Sequence, residues 1–111
     1  MSKFMSRTVA LIAVVTMLAI IPALAADAEA GHALYTRKCK TCHGAEGEGN
    51  PGMAKALKTE IRALGSPEVQ AASDADLAKI VKEGKGKMRP TSGVTDADIE
   101  NVVAFVRTLK K

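Results

Sequence analysis

The chain has 111 residues, a formal charge of +4 and three aromatic side chains in all, with no tryptophan. That length allows one small domain, and two cysteines rule out a scaffold held by several disulfides. Much of the charge sits near the start of the chain, so it gives no reason to expect a nucleic-acid surface.

Residues 1–7 carry Lys3 and Arg7 and no acidic side chain. From Thr8 to Leu24 the chain is uncharged and nearly all apolar, with Val9, Leu11, Ile12, Val14, Val15, Leu18, Ile20 and Ile21. Pro22 and Ala23-Leu24-Ala25 follow. A basic start, an apolar stretch and a small-x-small site predict a secretory signal over 1–25, cleaved after Ala25. An uncleaved anchor is the alternative, but 17 residues (8–24) are at the short end of a bilayer span, about 17–25. Cleavage leaves one domain, 26–111, whose formal charge falls to +2 with the loss of Lys3 and Arg7. The expected location is periplasmic.

A first helix is predicted from Ala28 to Lys40, with Ala33, Leu34 and Tyr35 on its apolar side. The run Gly44 to Gly52 has four glycines in nine residues and predicts a loop of tight turns. Met53 to Leu64 is mixed, with room for a short helix. Ser66-Pro67-Glu68 is a helix start. Ser73 caps the next helix, and Gly84 ends it after Leu77, Ile80 and Val81. A loop from Lys85 to Gly93 leads to a last helix that starts at Thr95. Ile99, Val102, Val103, Val106 and Leu109 form one apolar stripe on that helix, and Arg107 suits its C-terminal dipole. No segment alternates like a strand, so the fold class is all-α.

Between the first helix and the glycine-rich loop lies Cys39-Lys40-Thr41-Cys42-His43. Cysteines at i and i+3 and a histidine at i+4 share one side of a helical turn. Two thiols so placed meet the two vinyl groups of a haem, while the imidazole reaches the iron from the same side. The motif therefore predicts one covalently attached haem c, held by Cys39 and Cys42 and ligated by His43. A haem also supplies the apolar bulk that a domain with only Tyr35 and Phe105 lacks. A thiol–disulfide oxidoreductase would need a βαβ setting for its Cys-x-x-Cys. Zinc would need four ligands, for which adjacent Cys42 and His43 are a poor pair.

A thioether is a soft ligand suited to low-spin haem iron. After cleavage only Met53 and Met88 remain. Met88, in a loop bounded by glycine and proline between Lys87 and Arg89, is the expected distal ligand. Met53 is expected to pack in the core, and His32 to lie on the surface. Six-coordinate iron leaves no open position, which predicts a one-electron carrier and not an enzyme. Lys82, Lys85, Lys87 and Arg89, with Lys55 and Lys58, are either a solvated face or a rim that steers acidic redox partners.

The chain resembles the class I c-type cytochromes over nearly all of 26–111. Cys39 to Gly49 is similar to the family pattern CxxCHGxxGxG, and Gly31, Tyr35 and Phe105 match its small and aromatic helix positions. The resemblance implies a fold of three to five helices around the haem, with the N- and C-terminal helices crossing at the glycine. It implies His43 and Met88 as axial ligands, and a monomer that exchanges electrons with redox proteins of a respiratory chain. It also implies that the carbonyl of Pro51 orients the His43 ring. One departure is Arg89, which stands where many relatives have proline directly after the methionine.

Overall fold

A computed structural model describes Val14, Thr16 and residues 25–111; the signal segment and its cleavage site up to Leu24 otherwise lie outside the described residues. Among the described residues six helices run in chain order: α1 (Ala28–Lys38), α2 (Lys40–His43), α3 (Pro51–Leu57), α4 (Pro67–Gln70), α5 (Asp74–Glu83) and α6 (Asp96–Thr108). Among the described residues there is no strand, only an isolated bridge between Lys85 and Met88. No described helix is long and apolar enough to cross a membrane.

The helix starts follow from local chemistry. The Ser73 side chain accepts from the amide of Asp76, and Thr95 and Asp98 form a reciprocal capping box at α6. Each such cap contributes about 1 kcal/mol. Ser66 caps α4 with Pro67 at its first position, as expected. The glycine-rich loop ends earlier than its composition predicts. Asn50 caps α3 by accepting from Gly52 and Met53, so Pro51 begins a helix instead of sitting in the loop. The first helix also stops sooner, at Lys38. The attachment residues form their own turn, joined to α1 through Cys39.

The core lies where α1 crosses α6. Leu34 and Tyr35 on α1 and Ile99, Val102, Val103, Phe105 and Val106 on α6 are all buried; Leu34 clusters with Val102 and Val106, and Tyr35 packs on Phe105. Ala33, assigned to the apolar side from sequence, is exposed. Leu64, Leu77 and Val94 close the core from the segments around it. Burying each of these larger side chains is worth about 1.5–3 kcal/mol. The crossing point is Gly31, where a β-carbon would lie 1.9 Å from the Asn101 carbonyl oxygen. Only a glycine lets the two backbones approach this far.

Arg107 does more than complement the helix dipole. Its guanidinium donates to the carbonyls of Gln70 (3.0 Å) and Ala72 (2.6 Å) and to the Asp74 carboxylate (2.8 Å). Gln70 in turn donates to the carbonyls of Leu64 and Val106. The α4–α5 connection is thereby fastened to α6.

Gly31→Ala is expected to destabilise the protein by about 3 kcal/mol, since backbone cannot yield as a side chain can. Gly86→Ala, at a left-handed glycine with nothing within 4 Å, should cost only about 1–2 kcal/mol. Denaturant unfolding of both variants checks the contrast.

Candidate haem attachment site

Cys39 is both the last residue of α1's frame and the first of α2's. Its amide donates to Tyr35, and its carbonyl accepts from His43 at 3.0 Å. One turn therefore carries Cys39, Cys42 and His43 together. Both cysteines are free thiols and half-buried. Burial, and then the neighbouring Cys42, push the Cys39 thiol above its ordinary pKa. This is the opposite of the activated thiolate that disulfide exchange requires. No three His, Cys, Asp or Glu side chains among the described residues converge as a metal cluster.

Carbonyls at the end of a helix have no partner within it. Here four in succession are met from outside the turn. Asn50 Nδ2 donates to Thr41 at 3.0 Å and the Asn50 amide to Cys42 at 3.0 Å. The Gly49 amide donates to His43 at 2.7 Å, and the Tyr35 hydroxyl to Gly44 at 2.5 Å. Gly44 itself has φ 83°, a conformation suited to glycine. The Glu48 carboxylate lies directly over it: a β-carbon on Gly44 would fall 2.4 Å from Glu48 Cδ. The amides of Glu48 and Glu46 hold that carboxyl below its usual range.

Tyr35 is 1% exposed and touches Phe105, with ring centroids 4.9 Å apart. Burial above all pushes its phenol up to about 12, so it remains a proton donor through the neutral range. His32 is exposed, as expected, and stacks on Phe105 with ring centroids 4.5 Å apart.

The His43 side chain differs from expectation. Its Nδ1 is buried and has no hydrogen-bond partner. The carbonyl of Pro51 does not supply one, because Pro51 is drawn into the first turn of α3 by the Asn50 cap. Burial lowers the pKa of the imidazole, which favours the neutral form that binds metal. The residues fit a haem: free thiols at the right interval, and a neutral imidazole whose other nitrogen is turned into the protein.

Met88 stands on a second framework. The Lys85 amide donates to the Met88 carbonyl (3.0 Å), and the Met88 amide to the Lys85 carbonyl (2.9 Å), around Gly86-Lys87. Gly86 has φ 57°, the sign a tight hairpin needs at its first central residue. The Met88 carbonyl packs on Gly84, where a β-carbon would approach it to 2.5 Å, and the Thr91 amide bonds Val81 at 2.9 Å. Met88 and Met53 are both half-buried. Of the cations that the sequence offers for a rim, Lys82 pairs with Asp96 on α6 (3.3 Å). Lys55, Lys58, Lys85, Lys87 and Arg89 are exposed and make no ion pair among the described residues.

Sequence reasoning placed the cysteines, the histidine and the methionine on these turns but missed Asn50. The Asn-Pro pair was available as a cap signal, of the same kind as Ser66-Pro67.

Comparison with known proteins agrees with this geometry. Residues 26–106 match the family model described as cytochrome c oxidase, cbb3-type, subunit III. The chain is 33% identical to cytochrome c-554(547) of Halothiobacillus neapolitanus, over 78% of this chain and 100% of that protein. It is 34% identical to cytochrome c-555 of Chlorobaculum tepidum, over 76% and 78%. It is 36% identical to cytochrome c6 of Picosynechococcus, over 77% and 75%. A solved structure, the KustC0563 c-type cytochrome, superposes with a TM-score of 0.63 at 32% identity, covering 73% of this chain and 98% of that one. An all-α fold with free thiols and a neutral imidazole on one turn, matched along its length by small cytochromes, places the chain in the c-type cytochrome family, with covalently bound haem c and electron transfer as its task.

Proposed function

We propose that the protein is an exported one-electron carrier in a respiratory chain, with Cys39 and Cys42 as thioether anchors and His43 and Met88 as axial ligands. The observation that carries the ligand set is the pair of rigid turns. One presents Cys39, Cys42 and His43 through four externally held carbonyls, and the other fixes Met88 between Gly84 and Lys85. When bound, the haem supplies an iron that alternates between Fe(II) and Fe(III) without bonding a substrate. The protein's own residues orient it. Burial favours the neutral form of His43, and Met88 offers a soft sulfur.

Export rests on the pattern of residues 1–25, and the family match that starts at residue 26 fits cleavage after Ala25. The periplasm is the compartment this implies, with a monomer as the working form. A second reading, a fixed subunit of an oxidase, draws on the description of the matching family model. The full-length correspondence with a small cytochrome favours the free carrier.

Lys85, Lys87 and Arg89 flank the Met88 turn as exposed, unpaired cations among the described residues, so the partners that dock there are acidic. Lys82, committed to Asp96, contributes less to that rim.

Two measurements test this. The oxidised protein should show a weak thioether–Fe(III) band at the red end of its spectrum, lost in Met88→Ala and kept in Met53→Ala. Retention in Met88→Ala, or rapid binding of carbon monoxide by the reduced wild type, contradicts His43/Met88 ligation. Lys87→Glu should slow electron transfer to an acidic redox protein at low salt, and the difference should fade as salt is added. An unchanged low-salt rate removes the rim from the account.

A further inference from the structure

We infer that the cleft between α5 and α6 receives the terminal ammonium of Ala26, the new end that cleavage after Ala25 creates. The inference rests on that cleavage reading and adds what the new end does.

Asp27 fixes the chain where it enters the fold. Its amide donates to Asn101 Oδ1 at 2.8 Å, and its carboxylate caps α1 through the amides of Glu29 and Ala30. Asn101 is the residue whose backbone meets Gly31 at the α1/α6 crossing. Ala26, one residue earlier, is thereby held beside α6. It lines a cleft of about 270 Å³ together with Asp74 and Ala78 of α5 and Glu100, Val103 and Ala104 of α6. The walls are small or aliphatic, and the ionisable side chains in them are the carboxylates of Asp74 and Glu100.

The charges around this cleft are unevenly matched. Asp74 pairs with Arg107 at 2.8 Å, whereas Glu100 makes no ion pair among the described residues. On its other side Glu100 borders a groove that also holds Lys79, Lys82, Glu83 and Asp96, where Lys82 and Asp96 pair with each other. Two carboxylates thus face the cleft against one guanidinium that is already bonded.

Before processing, residue 26 brings only a neutral amide to this place. Hydrolysis of the Ala25–Ala26 amide consumes one water and leaves a carboxylate on Ala25 of the released segment. At neutral pH it leaves an ammonium on Ala26. That cation arrives beside Asp74 and Glu100 and links the start of the chain to both helices. The two carboxylates favour the charged amine, so the folded chain holds its proton more tightly than the unfolded chain does. An exposed ion pair adds little stability, which makes proton affinity, not melting temperature, the quantity to read.

The test uses the exported, haem-loaded protein, and intact mass first fixes where it begins. Reductive methylation with carbon-13 formaldehyde labels every amine, and NMR follows each methyl signal with pH. The terminal amine stands apart, because unperturbed α-amines titrate at about 7.7–8.0 and lysines at about 10.4. In the folded protein it should titrate at higher pH than in the same protein unfolded in urea. Glu100→Gln should bring the folded value towards the unfolded one, and added salt should do likewise. Glu60→Gln makes the same change of charge on an exposed side chain outside the cleft and should leave the value high. A terminal amine that titrates alike in the folded and unfolded wild type overturns the inference. So does a folded value that Glu100→Gln leaves in place, or that Glu60→Gln lowers as far. A mass that puts the first residue anywhere but Ala26 overturns the cleavage reading itself, which keeps the two failures apart.

Discussion

The close approach of Gly31 to the backbone of Asn101 is the contact on which the rest of the structure depends. It sets how near α1 lies to α6. That distance brings Tyr35 against Phe105 and points its hydroxyl at Gly44. The turn that holds Cys39, Cys42 and His43 thus hangs from the helix crossing by a hydrogen bond. A side chain at residue 31 would move the two helices apart, and the hydroxyl would lose its partner. Packing and chemistry are coupled here through one missing β-carbon.

The far end of α6 is secured in the same manner. A β-carbon on Gly65 would stand 2.0 Å from the Leu109 carbonyl, and the Lys111 amide donates to Gly65. Arg107 adds its bonds to Gln70, Ala72 and Asp74. The Leu64 amide reaches back to Gly47 in the glycine-rich loop. The glycine-rich loop beside the attachment turn and the segment from Leu64 to Asp74 are therefore pinned to the C-terminal end of α6. Such pinning suits an electron carrier, because iron ligands that stay put in both oxidation states need little rearrangement when the electron moves.

The parts of this fold written in local chemistry were legible before any coordinates. Ser66-Pro67, Ser73, Gly84 and Thr95 each act within three or four residues, and each does what its type predicts. The apolar stripe of α6 was legible from its spacing, and the Cys-x-x-Cys-His run from the demands of the cofactor. The parts that were not legible depend on carbonyls that only the fold brings into reach. Arg107 read as a dipole partner because Gln70 and Ala72 are distant in sequence. Asn50 read as loop because glycines surrounded it. Pro51 was assigned a role by resemblance, yet helix α3 claims it and His43 Nδ1 is left without an acceptor. Lys82 read as part of either a solvated face or a rim, and in the structure it pairs with Asp96 of α6.

The central claim is that the attachment turn belongs to the same cooperative unit as the α1/α6 core. Amide hydrogen exchange on the haem-loaded protein tests it most directly. The amides of Gly49 and Asn50, bonded to His43 and Cys42, should exchange as slowly as those of Val102 and Val103 in the core, through global unfolding. If the turn amides exchange orders of magnitude faster while the helices remain protected, the turn opens on its own and the account is wrong.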